Sequence, residues 1–228
     1  DMAIEKTIWG KTPEGQEIYK YILTNSKGAS VTLCNIGAAI VSVMVPDKDG
    51  NLADVVLGYE DPMSYFGDGP YLGKCPGRYA NRIAAGKFTL DGKEYTLAIN
   101  NGPNHLHGGP GSFANQIWES RIEGSAVEFM YFSQDGEEGY PGNLKVVAHY
   151  EWSEDNEISL TFTAQCDAPT VLNLTNHAYF NLNGEGSGDI LSHELYLNAS
   201  EYLPTDDTLV PLGESEPVAG TPMDFVTP

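Results

Sequence analysis

Three short segments of this chain concentrate the side chains that could do chemistry. Residues 174–182 surround His177 with amides and aromatic rings, residues 77–83 supply two arginines, and residues 104–109 supply two more histidines beside glycines. Histidine titrates closest to neutral pH, so an imidazole can serve both as a general acid and as a polar anchor. Because glycines let a ligand come close, the three segments together predict a pocket for a neutral, hydroxyl-rich ligand.

His177 has two interpretations. The simpler one is a core histidine bonded to backbone carbonyls, since buried polar groups usually find such partners. The neighbouring amides of Asn173, Asn176 and Asn181 favour a functional site instead. An apolar core would not gather so many amide side chains in one place.

His105 and His107 lie two residues apart, so on a strand they would face the same way. A metal pair is conceivable, but neither a third ligand nor a carboxylate partner is evident. The glycine-rich residues 108–111 predict instead a strand that ends in a tight loop and leaves one histidine pointing into a cleft. Arg82 could be a surface cation, although the glycines around it favour a guanidinium that is at least half buried.

Several other catalytic classes find no support in the sequence. Cys75 stands where a phosphate-binding loop needs Ser or Thr, and neither a GxGxxG pattern nor a GxSxG elbow occurs. The acidic pairs Glu137-Glu138 and Asp206-Asp207 invite a glycosidase interpretation. Adjacent strand residues point to opposite faces, however, and turn-forming residues surround the first pair, so we expect solvated loop carboxylates.

The composition limits the classes of molecule that the protein is expected to bind. Twelve basic and 32 acidic residues give a net charge of −20, which disfavours nucleic acid and anionic membrane and favours an uncharged or cationic ligand. The longest apolar stretch, residues 36–45, is too short to span a bilayer. Three widely spaced cysteines, Cys34, Cys75 and Cys166, predict reduced thiols in a cytoplasmic protein.

Short runs of alternating or β-branched residues between evenly spread glycines and prolines predict strands. The predicted strands are residues 17–23, 29–33, 39–45, 127–132, 144–152, 158–164 and 194–197. Residues 87–90 and 93–97 should form a hairpin, because Asp91-Gly92 suits a type I′ turn. Only residues 61–66 stand out as a helix candidate. We therefore expect residues 1–228 to form a single all-β domain, a large antiparallel β-sandwich with few short helices.

Longer motifs give the chain a family likeness. It resembles the aldose 1-epimerase, or galactose mutarotase, family in residues 77–88, 106–109, 135–142, 174–182 and 202–204, which follow one another in order. The resemblance implies a galactose mutarotase-like β-sandwich that interconverts the α and β anomers of a free aldose such as galactose or glucose. It implies a small-molecule substrate and neither a cofactor nor a metal.

The resemblance also implies roles for individual residues. His177 would be the general acid on the ring oxygen, and His107 would help to orient the ring as the second catalytic residue. The substrate-binding residues that it implies are Asn81, Arg82, His107, His177, Ala178 and Tyr179.

The chain departs from the family pattern in one respect. Family members continue well past the position of Pro228, and that further part carries the glutamate that removes the anomeric proton and an aspartate that binds the sugar. We therefore expect a fold that is incomplete at its C-terminus and is completed by a further segment, which carries the base. The alternative is a non-catalytic carbohydrate-binding protein. A hexose-6-phosphate epimerase is a third option, which would need more cationic side chains in the pocket.

Overall fold

A computed structural model describes residues 2–228, and nearly all of its regular structure is β. The strands are β1 (Ala3–Lys11), β2 (Glu17–Thr24), β3 (Ser30–Cys34), β4 (Ala39–Pro46), β5 (Leu52–Asp54), β6 (Arg82–Ile83), β7 (Lys87–Leu90), β8 (Lys93–Thr96), β9 (His105–Leu106), β10 (Glu119–Glu123), β11 (Ala126–Ser133), β12 (Leu144–Trp152), β13 (Ile158–Cys166), β14 (Glu201–Tyr202) and β15 (Glu216–Pro217). The helices of residues 2–228 are short 3-10 turns at Pro62–Tyr65, Ala84–Gly86, Phe113–Asn115 and Glu137–Gly139.

Two antiparallel sheets make up the body of the fold. The first has the order β1-β2-β3-β4-β5 and the second the order β10-β11-β12-β13, so each sheet is a meander of neighbours in sequence. Inward-facing side chains of both sheets belong to one apolar cluster, in which the rings of Tyr21 and Phe129 meet edge to face at 5.9 Å. The Tyr150 hydroxyl donates across the gap to the Ala38 carbonyl at 2.6 Å. The predicted all-β sandwich is thus confirmed.

Local sequence rules also hold in detail. The predicted hairpin forms between β7 and β8, and both turn residues, Asp91 and Gly92, have the positive φ (51° and 78°) that a type I′ turn requires. The helix candidate becomes a 3-10 turn capped by Asp61, whose side chain accepts from the Met63 amide at 2.9 Å.

The predicted strand at residues 194–197 is wrong. These residues form no ladder within the part of the chain that the structure describes, and Leu197 makes a single backbone bond, from its amide to the Phe225 carbonyl at 2.8 Å. Leu195 and Tyr196 stay exposed. An alternating pattern makes a strand only where a neighbouring strand can pair with it, and the pattern does not reveal that neighbour.

Two of the three segments that the sequence singles out, residues 77–83 and 104–109, lie in the long connection between the two sheets, and the third, residues 174–182, follows β13. Tyr79 forms a parallel bridge with Asn173, and Val56 forms an antiparallel bridge with Phe180. Residues 173–181 therefore cross residues 77–83 and then run beside Val56, just after β5 of the first sheet.

Two other predictions concern reduced cysteines and the absence of a membrane-spanning segment. All three cysteines are free thiols, with Cys34 and Cys75 buried and Cys166 half-buried. Residues 2–228 contain no helix with the length and apolar character that a membrane crossing requires.

Candidate active site

The three segments meet at a cavity of about 420 Å³. It is lined by Ala80, Asn81, His107 and the six residues 173–178. A larger depression of about 680 Å³ lies beside β13, between Phe132 and Cys166, and no histidine lines it. The smaller cavity is therefore the candidate site, because it brings His107 and His177 together.

A short strand pair positions the first imidazole. Strands β6 and β9 pair antiparallel with Arg82 opposite Leu106, so Asn81 and His107 lie side by side just outside the pair. Both have left-handed backbone, with φ of 71° and 52°. The His107 amide donates to the Asn81 carbonyl at 3.0 Å, and the Asn81 amide donates to Nδ1 of His107 at 2.9 Å. This reciprocal contact fixes the imidazole relative to the backbone.

The glycines after His107 allow its loop to pack tightly. A Cβ at Gly108 would lie 1.8 Å from the Gly77 carbonyl oxygen, and φ there is +87°. A side chain is thus excluded both by space and by backbone conformation. As the sequence predicts, β9 ends at Leu106 and the loop leaves one histidine at the cavity.

The contacts of His107 determine its protonation. Nδ1 accepts the Asn81 amide, so in the neutral ring the proton sits on Nε2, which is a donor. Burial lowers the pKa of His107 to about 4, assisted by the nearby charges of His177 and Arg82. At neutral pH the ring is therefore an uncharged donor of one hydrogen bond.

His105 has a different role from His107. Its Nδ1 contacts the Ala98 carbonyl and its Nε2 the Tyr140 hydroxyl, each at 2.7 Å, so both ring nitrogens are used within the fold. Within residues 2–228, no group of three or more His, Cys, Asp or Glu side chains is placed to hold a metal ion.

His177 is held by its backbone. Its amide donates to the Lys74 carbonyl at 2.8 Å, and its carbonyl accepts from the Gly73 amide at 3.2 Å. The ring is half-buried and stands edge to face with His107, with centroids 5.2 Å apart and an interplanar angle of 86°. Neither ring nitrogen bonds another residue in the range 2–228, which differs from a core histidine with satisfied partners.

The amides beside His177 hold its segment in place. The Asn173 side chain donates to the Ala80 carbonyl at 3.0 Å. The Asn176 side chain donates to the Gly73 carbonyl at 2.8 Å and to the Tyr150 hydroxyl at 3.1 Å. Asn173 and Asn176 thus line the cavity and tie its wall to the core, whereas Asn181 does not line it and donates instead to the Gly188 carbonyl at 3.1 Å.

The other predicted binding residues lie at or near the cavity. Ala178 lines it, with its amide bonded to the Asn176 side chain at 2.9 Å. Arg82 is half-buried, as the glycines around it suggested, and its Nε donates to Asn101 at 3.0 Å. The exposed ring of Tyr179 lies 5.1 Å from that of His177. Arg82 and Tyr179 border the cavity without lining it.

Sequence reasoning missed the role of Arg78. Its side chain is only 1% exposed, and its guanidinium donates to the carbonyls of Ser133, Gln134, Pro141 and Gly142 and to the hydroxyls of Ser133 and Thr170. Arg78 thus joins the cavity segment to the second sheet. Arg78 has no ion-pair partner within residues 2–228, and an arginine that is buried in this way has no sequence signal.

The prediction of solvated carboxylates at Glu137 and Glu138 is wrong. Glu137 accepts from the hydroxyls of Tyr131 and Ser133 at 2.7 and 2.8 Å, and Glu138 accepts from the Gly111 amide at 2.7 Å. Both side chains are half-buried. The turn-forming neighbours are real, but the turn folds Glu137 back onto the end of β11 and brings Glu138 to Gly111, 27 residues earlier in the chain.

Comparisons with known proteins identify the family. The sequence model described as aldose 1-epimerase matches residues 19–228. The chain belongs to the aldose 1-epimerase family. It is 44% identical over 227 residues to galactose mutarotase from Sus scrofa, a match covering 100% of the chain and 66% of that protein. It is 42% identical over 214 residues to aldose 1-epimerase from Escherichia coli K12, covering 93% of the chain and 62% of the relative.

Solved structures of the family share the fold. Galactose 1-epimerase from Lactobacillus acidophilus superposes with a TM-score of 0.85 at 29% identity, covering 100% of this chain and 66% of that one. An aldose epimerase homologue from C. elegans gives the same TM-score of 0.85 at 36% identity, over 90% of this chain and 62% of that one. The chain thus spans about two thirds of the length of these relatives, and the galactose mutarotase-like fold expected from the sequence is confirmed.

Proposed function

We propose that the protein is an aldose 1-epimerase that interconverts the α and β anomers of a free aldose such as galactose or glucose. One observation carries the proposal: two imidazoles in different hydrogen-bonding states meet at one cavity. His107 offers a fixed Nε2–H donor, and His177 offers ring nitrogens that bond no residue in the range 2–228. A chain with a net charge of −20 also admits an uncharged sugar without electrostatic cost.

In this proposal His177 is the general acid. It gives its proton to the ring oxygen of the sugar while a base takes the proton from the anomeric hydroxyl, and the ring opens to the free aldehyde. Rotation about the C1–C2 bond and reversal of both proton transfers deliver either anomer. His107 orients the ring through its Nε2–H, and Asn81 and Arg82 bond sugar hydroxyls, with Ala178 and Tyr179 at the wall. No cofactor takes part, because the opened sugar supplies its own electrophilic carbonyl.

The base must come from elsewhere. No carboxylate lines the cavity within residues 2–228. We therefore propose that a further segment supplies the glutamate and completes the sandwich. Its docking surface would include exposed apolar side chains such as Leu182 and Leu191, which are 70% and 86% exposed. We further propose that residues 1–228 belong to one domain, since both sheets share one apolar cluster.

Polarimetry of freshly dissolved α-galactose or α-glucose tests the activity. The complete gene product should speed the approach to the equilibrium rotation, and His177→Gln should lower kcat by about 10²–10⁴-fold, the usual contribution of general acid catalysis. His149→Gln is the matched control, because His149 lies on the outer face of β12 and bonds Glu128 at 2.9 Å. Its rate should equal that of the unaltered protein.

Other outcomes would decide against the proposal. Saturable sugar binding without mutarotation would select the non-catalytic carbohydrate-binding alternative. Equal rates for His177→Gln and the unaltered protein would remove His177 from the mechanism.

A further inference from the structure

Beside the two imidazoles lies a third ring that no sequence motif points to. The Tyr71 ring meets His107 edge to face, with centroids 4.7 Å apart and an interplanar angle of 63°. It stacks on His177 with centroids 6.0 Å apart and an angle of 25°. Each of the three rings therefore contacts the other two. Tyr71 does not line the cavity, so its position suits a support for the imidazoles better than a ligand contact.

We propose that Tyr71 is a positioning residue, whose ring fixes the mutual orientation of His107 and His177. The consequence for catalysis rests on the function proposed above, whereas the effect on the two rings is independent of it. The ring of His107 is already held at Nδ1 by the Asn81 amide, whereas the ring of His177, which is held through its backbone, could still rotate about its side-chain torsions. An aromatic neighbour at these distances restricts that rotation and favours edge-to-face or offset geometry.

A buried ion pair holds Tyr71 in place. Lys74 Nζ lies 2.6 Å from Asp68 Oδ1, with the side chains 0% and 4% exposed, and the pair closes the loop 68–74 with Tyr71 at its middle. Asp68 Oδ2 also accepts from the Leu72 amide at 2.9 Å and from the Tyr59 hydroxyl at 3.0 Å. Burying two charges is costly unless they are paired and hydrogen-bonded. Here Asp68 Oδ2 accepts two hydrogen bonds, whereas the buried Oδ1 has the charge of Lys74 as its partner but accepts no hydrogen bond within residues 2–228.

Lys74 is bonded on its other side as well. Its ammonium donates to the Asn115 side chain at 2.9 Å and to the Tyr65 carbonyl, and it lies 5.5 Å from the centroid of the Tyr71 ring. The latter distance is within the range of a cation–π contact. The loop is therefore anchored to the 3-10 turns before and after it, and Tyr71 keeps a left-handed φ of 60° that a bulky residue rarely adopts.

The same loop also holds the backbone of His177. The Lys74 carbonyl accepts its amide at 2.8 Å, and the Gly73 amide donates to its carbonyl at 3.2 Å. Loop 68–74 thus determines where His177 sits through the backbone and how its ring is turned through Tyr71. Displacing a reacting group by about 1 Å can cost about 10²-fold in rate, so the loss of either attachment should lower the rate measurably.

The ring, and not the hydroxyl, is the part of Tyr71 that contributes. Its hydroxyl makes no hydrogen bond to any other of the residues 2–228, whereas its ring makes all the contacts described above. Burial and the nearby Asp68 carboxylate raise the pKa of Tyr71, which disfavours a phenolate that could act as a base. Phenylalanine should therefore replace it, and an aliphatic residue should not.

The test compares Tyr71→Phe with Tyr71→Leu in the complete gene product. In the sugar-free protein, NMR of labelled histidines should show a cross-peak between the imidazole protons of His107 and His177, whose centroids lie 5.2 Å apart. Tyr71→Phe should keep that cross-peak, and Tyr71→Leu should lose it. Polarimetry should give a kcat about 10–100-fold lower for Tyr71→Leu, with KM within about threefold, and a kcat within about twofold for Tyr71→Phe.

Each outcome has a clear meaning. If Tyr71→Leu keeps the cross-peak and the kcat of the unaltered protein, the positioning role is refuted. If Tyr71→Phe behaves as Tyr71→Leu, the hydroxyl carries the effect and the role of the ring is refuted. If Tyr71→Leu does not fold, Tyr71→Met gives the same comparison with a flexible side chain of greater length. If the unaltered protein shows no mutarotation, the proposed function fails, while the cross-peak comparison still decides the role of Tyr71.

Discussion

Replacing Arg78 should destabilise the fold, whereas replacing Arg82, four residues later, should weaken sugar binding. Arg78 is buried and bonds four carbonyls and two hydroxyls, whereas Arg82 is half-buried and its Nε donates to one protein group, Asn101. Arg78→Met therefore leaves several buried acceptors without donors, each worth about 1–3 kcal/mol. Since some of these acceptors can reach water, we expect a total loss of about 4 kcal/mol of unfolding free energy.

Urea denaturation measures this loss directly. With a slope of about 2 kcal/mol per molar, typical of small proteins, Arg78→Met should lower the midpoint by about 2 M. Arg82→Met should lower it by less than about 0.7 M, because it removes about one net hydrogen bond. Arg82→Met should instead weaken sugar binding, which polarimetry reports as a raised KM.

Arg78→Lys tells geometry apart from charge. Lysine keeps the charge but offers three donors from one point in place of the planar fork of five, so it should recover less than half of the lost stability. It also keeps the test valid if Arg78→Met does not fold. A midpoint for Arg78→Met within about 0.3 M of the unaltered protein, or a larger loss for Arg82→Met, would refute the reasoning.

Two further predictions follow from titration and burial. The pKa of His107 is lowered to about 4 by burial, so the folded state binds fewer protons than the unfolded state between pH 6.5 and 4, and stability should fall as pH falls through that window. His107→Asn should show a shallower fall in urea midpoint between pH 7 and 4.5, and equal slopes would contradict the assignment. Burial raises the pKa of the Cys34 and Cys75 thiols to about 12 and 11, so iodoacetamide at pH 8 should modify only half-buried Cys166. Intact mass should show one adduct on the folded protein and three after unfolding in urea; a second adduct on the folded protein would contradict this.

Features that depend on neighbours in sequence were predictable. Alternation and β-branching mark strands β2, β3, β4, β11, β12 and β13, although the prediction missed β1, β5 and β10. The two residues Asp91-Gly92 determine a hairpin turn because both need positive φ. The glycines after His107 likewise predict the end of β9. Each of these rules depends on a few neighbouring residues, so the sequence alone contains the information that places these strands and turns.

Features that depend on a distant partner were not predictable. Residues 194–197 alternate as a strand does, yet they pair with no strand within residues 2–228. Glu137 and Glu138 look like solvated turn residues, but they accept hydrogen bonds from Tyr131, Ser133 and Gly111. For residues 194–197 and for Glu138 the deciding partner is distant in sequence or missing, whereas Glu137 was missed because residue type alone does not show that its turn folds it onto the end of β11.

The residue pattern alone was sufficient to name the family, the sandwich and the segments around His107 and His177, because long ordered motifs and strand periodicity are written in the chain. Only the folded chain distinguishes the structural Arg78 from Arg82 and places the proton of His107 on Nε2. Only the folded chain brings Tyr71 against both imidazoles. The physical reason is that protonation, burial and ring orientation depend on groups that tertiary packing brings together. These groups are far apart in sequence, so the sequence pattern does not show which of them will be in contact.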